Sequence, residues 1–341
     1  MKKRWILGTR GSKLALKQTE IVIGKLAGIY PDYEFATEII KTTGDTIWDK
    51  PLHLIGGKGL FVKEIEEALL AGSIDMAVHS VKDMPVELPQ GLLLAAVMER
   101  ENPRDAFISV KHRSFADVQP GGRIGTGSLR RKAQILHLNK GIEVVPLRGN
   151  VDTRLRKLRE HGLDAIVLAC AGVKRMGLQE HISEVLPFDM MVPPSGQGAI
   201  GIESRDEAQA LELLRPLDHA QTMFEISVER RLQALIGGGC SVPLGINASL
   251  LDGRLTIHSA FGTEDGELLV KQRVNGRPDE ADKLIAASLK PIREAQEKQG
   301  QGSGVSKKTL APLLCFLLFL WSTLTPDPAL MAGETPPALS E

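Results

Sequence analysis

From Trp5 to Ala171 short apolar runs alternate with helix-like stretches, and this alternation constrains the fold more than any other feature of the chain. A strand pattern that keeps returning after a helical one builds an α/β sheet rather than a bundle or a sandwich. Trp5–Gly8 reads as a strand, and Ser12 then caps a helical pattern reaching about Gly28, with Leu14, Ile21, Val22 and Leu26 as its apolar positions. Phe35–Lys41 alternates as a strand, Leu60–Ala71 is helical, and Ile74–His79 and Leu92–Val97 are strands. The alternation resumes around Gly121–Thr126, Glu143–Leu147 and Asp164–Ala169. Two α/β domains with mostly parallel sheets are expected, with Glu99–Arg104 and Pro187–Gln197 as the crossings between them. After about Ala220 the pattern changes. A helix over Gln221–Leu235 precedes a glycine-rich loop and three strand-like runs, Val242–Leu251, Arg254–Phe261 and Glu267–Val274. Asp252-Gly253 and Asp265-Gly266 are their hairpin turns, and a last helix from Asp279 completes a small α+β domain.

The polar residues cluster at element junctions, where open sheets build their sites. The strand Ile74–His79 runs out into Ser80, Lys82 and Asp83 and stops at Pro85. On an extended segment Lys82 and Asp83 point to opposite sides, so one can meet a carboxylate while the other meets a cation. Gly8-Thr9-Arg10-Gly11-Ser12 lies between a strand and a helix N-terminus, which offers free N–H groups to an anion. Gly56-Gly57-Lys58-Gly59 has the same character but lacks the spacing of a nucleotide-binding P-loop. Thr126, Ser128, Arg130 and Arg131 repeat the arrangement in the second domain, and Arg148 leads into a helix carrying Arg154. Any one of these arginines reads first as a solvated surface charge. Five such junctions in two similar domains describe a cleft for a ligand with several carboxylates or phosphates, and arginine is the better fork for carboxylates. The loop Thr42–Gly59 is long enough inside a compact domain to be functional and mobile.

Composition narrows the classes. Of 341 residues, 42 are basic and 42 acidic, so no bulk attraction to nucleic acid is implied. Cys170, Cys240 and Cys315 are an odd number with no metal spacing, which reads as a reducing compartment. The eight histidines show no paired ligand spacing, so no metal site is expected. Ser195, in Pro194-Ser195-Gly196-Gln197-Gly198, is not a nucleophile elbow. Cys170 sits in an apolar run and reads as a small buried hydrophobe. Cys240 does not: Gly237-Gly238-Gly239 leaves its backbone free and its thiol approachable. Residues 299–309 read as a Gly/Ser/Lys linker. The apolar run Leu310–Leu320 is about half the length of a spanning helix and has Pro312 near its start. Disorder or a weak surface contact is expected there, with no stable membrane insertion, and a tail anchor is the lesser alternative.

The segments GTRGSKLAL, KTTGD, GGKGLFVKEIE, DMAVHSVKDMP, ERENPRDAF, GTGSLRR, LRGNVDTRL, PPSGQGAIGIE and GGGCSVPLG, in that order, strongly resemble the hydroxymethylbilane synthase (porphobilinogen deaminase) family. The resemblance spans residue 5 to about 295. It implies two periplasmic-binding-protein-like α/β domains with a cleft between them, plus a small α+β C-terminal domain. The implied boundaries are 1–98 with 198–217, then 99–197, then 218–298, with 299–341 as linker and extra tail. It implies a transferase of porphyrin and haem biosynthesis, a cytoplasmic monomer. Four porphobilinogen molecules are joined head to tail with loss of ammonia, and linear hydroxymethylbilane is released by hydrolysis. Its cofactor is a dipyrromethane held by a thioether, and Cys240 matches the attachment cysteine. Asp83 matches the catalytic aspartate, with Lys82 beside it. Ser80, Lys82, Asp83, Thr126, Ser128, Arg130 and Arg131 are the implied cofactor contacts; Arg10, Ser12, Lys58, Arg148, Arg154 and Gln197 are the implied substrate contacts.

The sequence departs from the family at two places. Gly127 stands where many members carry a second Ser or Thr, and the tail beyond about residue 300 has no counterpart. The chemistry agrees with the residues: porphobilinogen carries two carboxylates and an amine, each added ring brings two negative charges, and a carboxylate is needed near the cationic intermediates. The alternative is a non-catalytic two-domain anion-binding or sensor protein, which needs neither the Cys240 thiol nor an unpaired Asp83.

Overall fold

The computed structural model describes residues 2–46, 59–237 and 242–302, so Lys58, Cys240 and the run Leu310–Leu320 lie outside the described residues. Along the chain come β1 (Arg4–Thr9), α1 (Lys13–Ile29), β2 (Glu34–Ile39), α2 (Thr43–Thr46), α3 (Lys63–Leu70), β3 (Met76–Ser80) and β4 (Leu92–Val97). The chain then crosses to β5 (Asp105–Ile108), β6 (Arg123–Gly125), α4 (Leu129–Leu138), β7 (Glu143–Val145), α5 (Val151–Glu160), β8 (Ala165–Ala169), α6 (Cys170–Arg175) and β9 (Glu184–Val185). It returns through β10 (Ile200–Arg205), α7 (Ala208–Leu214) and α8 (Ala220–Ile236), and ends in β11 (Leu244–Leu251), β12 (Arg254–Gly262), β13 (Leu269–Gly276) and α9 (Ala281–Gly302).

Two five-stranded sheets result, ordered β2-β1-β3-β10-β4 and β7-β6-β8-β5-β9, together with a three-stranded antiparallel sheet, β11-β12-β13. The larger sheets are mixed rather than mostly parallel: β10 runs against β3 and β4, and β5 runs against β8 and β9. Each of these two strands is entered straight from a crossing instead of from a helix on its own sheet. That reverses its direction relative to strands joined by right-handed crossovers.

Side-chain alternation assigns each face of the larger sheets to its own helices. Met76 and Val78 of β3 pack with Val22 and Leu26 of α1, whereas Ala77 between them packs with Ile65 and Leu69 of α3. In the second sheet Ala165 and Val167 face Ile135 of α4, and Ile166 and Leu168 face Leu158 of α5. Burying each such Leu or Ile contributes about 1.5–3 kcal/mol. The third sheet packs on Val228 and Leu232 of α8 and on Leu284, Ile285 and Ile292 of α9. The β11–β12 hairpin turns through Asp252 and Gly253, both with positive φ (49° and 70°), as a tight hairpin of this chemistry requires. α9 continues to Gly302, so the first residues expected to be linker are helical; Glu297, Lys298 and Gln299 are helix formers, and the glycines begin at Gly300.

Among the described residues no helix is long and apolar enough to cross a membrane, and no cluster of three or more His, Cys, Asp or Glu side chains is placed to hold a metal ion.

Candidate active site

β3 ends at Ser80, and Val81–Asp83 then makes a single 3-10 turn closed by the Met84 N–H to the Val81 carbonyl (3.1 Å). Lys82 and Asp83 are therefore a third of a turn apart rather than on opposite sides of an extended strand. Pro85 accounts for the abrupt end, since it holds Met84 extended (φ −78°, ψ 144°) and prevents the turn from growing into a helix. Asp83 is exposed and Lys82 half-buried. Burial pushes the Lys82 ammonium below its ordinary value; Asp83 and Asp105 pull it back up, while Arg131 and Arg130 push it down again. Lys82 thus feels the charges of the second sheet, and the ends of β3, β5 and α4 converge. Gly196, on the crossing that returns to β10, lies against this turn; a β-carbon there would fall 2.8 Å from the Lys82 backbone nitrogen, and its φ of +76° also favours glycine. Ser80 exchanges hydrogen bonds with Gln18 of α1 (2.9 and 3.1 Å).

At the start of α4, Ser128 is the N-cap, its Oγ accepting from the Arg131 N–H (3.4 Å), and Thr126 Oγ1 accepts from the Ser128 N–H (3.2 Å). Gly127 has a packing reason. A β-carbon there would lie 2.8 Å from the Leu147 carbonyl oxygen, so a Ser or Thr at this position requires the β6–α4 and β7–α5 connections to part.

Arg130 and Arg131 are 5% and 6% exposed, and both are bound to one carboxylate. Arg131 donates from Nε (3.2 Å) and Nη2 (2.7 Å) to Asp105 Oδ1, and Arg130 Nη2 lies 2.9 Å from Oδ2. Gln197 Nε2 donates to the same Oδ1 (2.9 Å) and to the Pro103 carbonyl (2.7 Å). Burial alone would raise the Asp105 carboxyl, but Arg130 and Arg131 outweigh it and hold it far below the usual carboxylate range. Arg130 in turn is lowered to about 10, chiefly by burial, with Asp105 opposing.

Arg154 donates to the Gly149 carbonyl (2.7 Å) and is lowered to about 10 by burial and by the neighbouring Arg131 and Arg148. Among the described residues no ion pair joins Arg148 or Arg154 to an acid. Lys82, Arg131, Arg148 and Arg154 therefore form one field of positive charge, with Arg148 and Arg154 its uncompensated members. Arg10 is engaged elsewhere: its Nε donates to Asp45 Oδ2 (3.3 Å) and its guanidinium stacks 4.0 Å from the centre of the Phe61 ring. Burial raises the Asp45 carboxyl, but hydrogen bonds from Arg10 and Thr42 leave it lowered overall. Ser12 caps α1, accepting from the Ala15 N–H (3.2 Å). Lys13 of that helix reaches Asp152 of α5 at 2.7 Å, tying the two larger sheets together beside the site.

Residues with no assigned part in the sequence reading hold these pieces together. Glu229 of α8 is fully buried and accepts from Arg100 (2.7 and 3.2 Å), from the Gly196 N–H (2.7 Å), from the Ala248 N–H (2.8 Å) and from Asn247 (3.2 Å). Arg100 also donates to the Gln197 carbonyl (2.9 Å). Both crossings and the third sheet therefore meet at one carboxylate. Arg230, next to Glu229, donates to the Pro85 and Val86 carbonyls just beyond Asp83 (2.8 and 2.7 Å). Asp105, Arg100 and Glu229 show no spacing motif; the available signal is charge inside otherwise apolar or crossing segments. Cys170 is fully buried, as expected, and burial pushes its thiol up.

The two larger sheets and the positive field at their joined ends define an α/β protein with a cationic site beside an exposed Asp83. The family model for the porphobilinogen deaminase dipyrromethane cofactor-binding domain matches residues 5–212, and that for the porphobilinogen deaminase C-terminal domain matches residues 223–290. Porphobilinogen deaminase from Syntrophobacter fumaroxidans is 47% identical over 279 residues, covering 82% of this chain and 90% of the relative. The one from Carboxydothermus hydrogenoformans is 47% identical over 285 residues, covering 83% and 92%, and the one from a Roseiflexus species is 50% identical over 270, covering 79% and 89%. Among solved structures, a methionine-binding lipoprotein from Bacillus subtilis covers 65% of this chain and 92% of its own at a TM-score of 0.42 and 11% identity, a likeness that carries no argument about binding. The chain belongs to the porphobilinogen deaminase family, and it is a transferase of porphyrin biosynthesis.

Proposed function

We propose that Asp83 and Lys82 carry the catalysis, with Lys82, Thr126, Ser128, Arg130, Arg131, Arg148 and Arg154 holding the carboxylates of the growing pyrrole chain. The activity is that of a hydroxymethylbilane synthase acting on porphobilinogen. The observation that supports this placement is the convergence of the Lys82–Asp83 turn with the positive field of α4 and α5. The residues fit a dipyrromethane: Lys82, Arg148 and Arg154 are cations without full compensation, and the capped N-terminus of α4 adds hydroxyls and N–H groups. When bound, that group supplies the free pyrrole end to which each porphobilinogen is joined. Cys240, four positions beyond the end of α8 in the sequence, is the proposed attachment point, as in the family; Lys58, Arg10, Ser12 and Gln197 are proposed to complete the substrate contacts.

Asp83 stands free in solvent where positive charge develops as ammonia leaves, and its carboxylate stabilises that charge. As the group that takes and returns protons it contributes about 10²–10⁴-fold. Lys82, held below its ordinary value, parts with a proton more readily than a surface lysine and meets a ligand carboxylate when charged. We further propose three domains, 1–98 with 198–217, 99–197 and 218–298, each built on one sheet, in a cytoplasmic monomer. The test is Asp83→Asn, which keeps shape and removes charge: turnover is expected to be lost with the melting temperature unchanged. A stable Asp83→Asn protein with near-normal turnover would remove Asp83 from the mechanism.

A further inference from the structure

We propose that Asp105 is a positioning residue of this site: it fixes Arg130, Arg131 and Gln197 as one unit and sets the charge that Lys82 feels. The proposal rests on the reading of the site given above. Asp105 opens β5 directly after the first crossing and is fully buried. Oδ1 accepts from Arg131 and Gln197, and Oδ2 faces Arg130 Nη2 at 2.9 Å as an ion pair. On their other sides the guanidiniums are held by backbone, Arg130 Nη1 by the Val192 carbonyl (2.7 Å) and Arg131 Nη1 by the Val167 carbonyl (3.0 Å). Each plane is pinned at two edges, so neither fork can turn toward or away from a ligand independently. A bidentate fork is useful only when its plane is fixed. The three residues tied to Asp105 come from α4 and from the returning crossing, and all three are candidate ligand contacts.

The second part is electrostatic. Two guanidiniums side by side repel, and one ionised carboxylate between them leaves a single net positive charge. The charged groups acting on Lys82 are Asp83 from its own turn, Arg131 and Arg130 from α4, and Asp105 from β5. Of the two acids only Asp105 is buried with the arginines. Removing its charge exposes Lys82 to both cations, so Lys82 loses its proton at lower pH. A carboxylate that served stability alone would leave the Lys82 titration tied to folding, not to charge.

The experiment uses the holoenzyme, with intact mass verifying the covalent adduct. In Asp105→Asn the pH of half-acetylation of Lys82, read by peptide mapping, is expected to fall by about one unit. kcat is expected to fall about 10²-fold through misplacement of the forks, with KM changing far less. Asp105→Glu restores the charge and is expected to return the Lys82 titration to its wild-type value, but not kcat. A folded Asp105→Asn protein with wild-type kcat and an unmoved Lys82 titration overturns the proposal. Should that variant fail to fold, Asp105→Asn combined with Arg130→Met removes a charge and its countercharge together. Its kcat is then compared with that of Arg130→Met alone: a further loss of about tenfold supports the proposal, and equal values overturn it. Arg130→Met alone separates the two readings, because wild-type turnover there overturns the ligand role of Arg130 and leaves the effect of Asp105 on Lys82 to be judged by itself.

Discussion

Replacing Glu229 by Gln tests how the three sheets are held together. The change is isosteric, yet every group facing the carboxylate is a donor: two nitrogens of Arg100, the N–H groups of Gly196 and Ala248, and the Asn247 amide. A glutamine has one oxygen to offer, so in either orientation its NH2 faces donors. If it replaces Oε2, the bonds from Arg100 Nη2 and Gly196 are lost; if it replaces Oε1, the bonds from Arg100 Nη1, Ala248 and Asn247 are lost. In both cases Arg100 keeps a buried charge with only the more distant Glu225 carboxylate, 3.8 Å away, to offset it. Two buried charge-assisted hydrogen bonds amount to about 3–6 kcal/mol, in line with about 3–5 kcal/mol for breaking a buried pair from one side. That is a large share of the about 5–15 kcal/mol by which a native protein is stable. At about 2 °C per kcal/mol for a chain of this size, the thermal midpoint should fall by about 6–12 °C. Circular dichroism during a thermal ramp, at matched adduct content, measures it. A midpoint within about 2 °C of wild type would show that Glu229 does not hold the three sheets together.

Three further outcomes are expected. Glu66 of α3 is raised to about 7, first by burial and then by Glu203, with His79 opposing. The stability tied to its proton is complete below the ordinary value of 4.5 and is lost as the pH rises through about 7. Glu66→Gln should therefore raise the melting temperature at pH 8, by on the order of 2 kcal/mol of stability, and the gain should vanish by pH 5; a gain equal at both pH values would contradict this. Arg148→Leu should raise KM or stall the product at short intermediates with little change in melting temperature, because no acid is left unpaired; unchanged kinetics would take Arg148 out of the site. Cys240→Ala should give a folded, inactive protein lacking the pyrrole adduct on intact mass, whereas Cys170→Ala should keep it; an adduct surviving in Cys240→Ala would move the attachment point.

The parts of the fold legible in the sequence are those written in local chemistry. Ser12, Ser128 and the Asp252-Gly253 turn announce helix starts and a hairpin, and the alternation at Met76–Val78 announces a strand covered on both faces. Strand direction is not local. Asp105–Ile108 and Ile200–Arg205 read alike in either direction, so their antiparallel pairing was hidden until their neighbours were known. The Lys82–Asp83 segment reads as extended because nothing in the sequence before Pro85 marks a single 3-10 turn. Residue type and position brought the cations into one candidate site, but not their state. Arg130 and Arg131 share a carboxylate, Arg10 faces Asp45 and Phe61, and Arg148 and Arg154 pair with no acid among the described residues, and only distance separates these cases.

The place of β10 has a consequence for how the chain is made. Among the described residues β4 has no neighbour in its sheet except β10, and β10 also fills the space beside β3. The first sheet therefore stays open after Val97 is synthesised, until Arg205 arrives. The second sheet needs nothing beyond Val185, so it can close first although it is encoded later. At typical translation speeds the interval in which β3 carries an unpaired edge is roughly 5–20 s. An apolar strand left open that long is a template for pairing with another chain. A ribosome stalled between Val185 and Arg205 would release a protein whose second sheet is complete and whose first, with Asp83 already in place at the sequence level, is not.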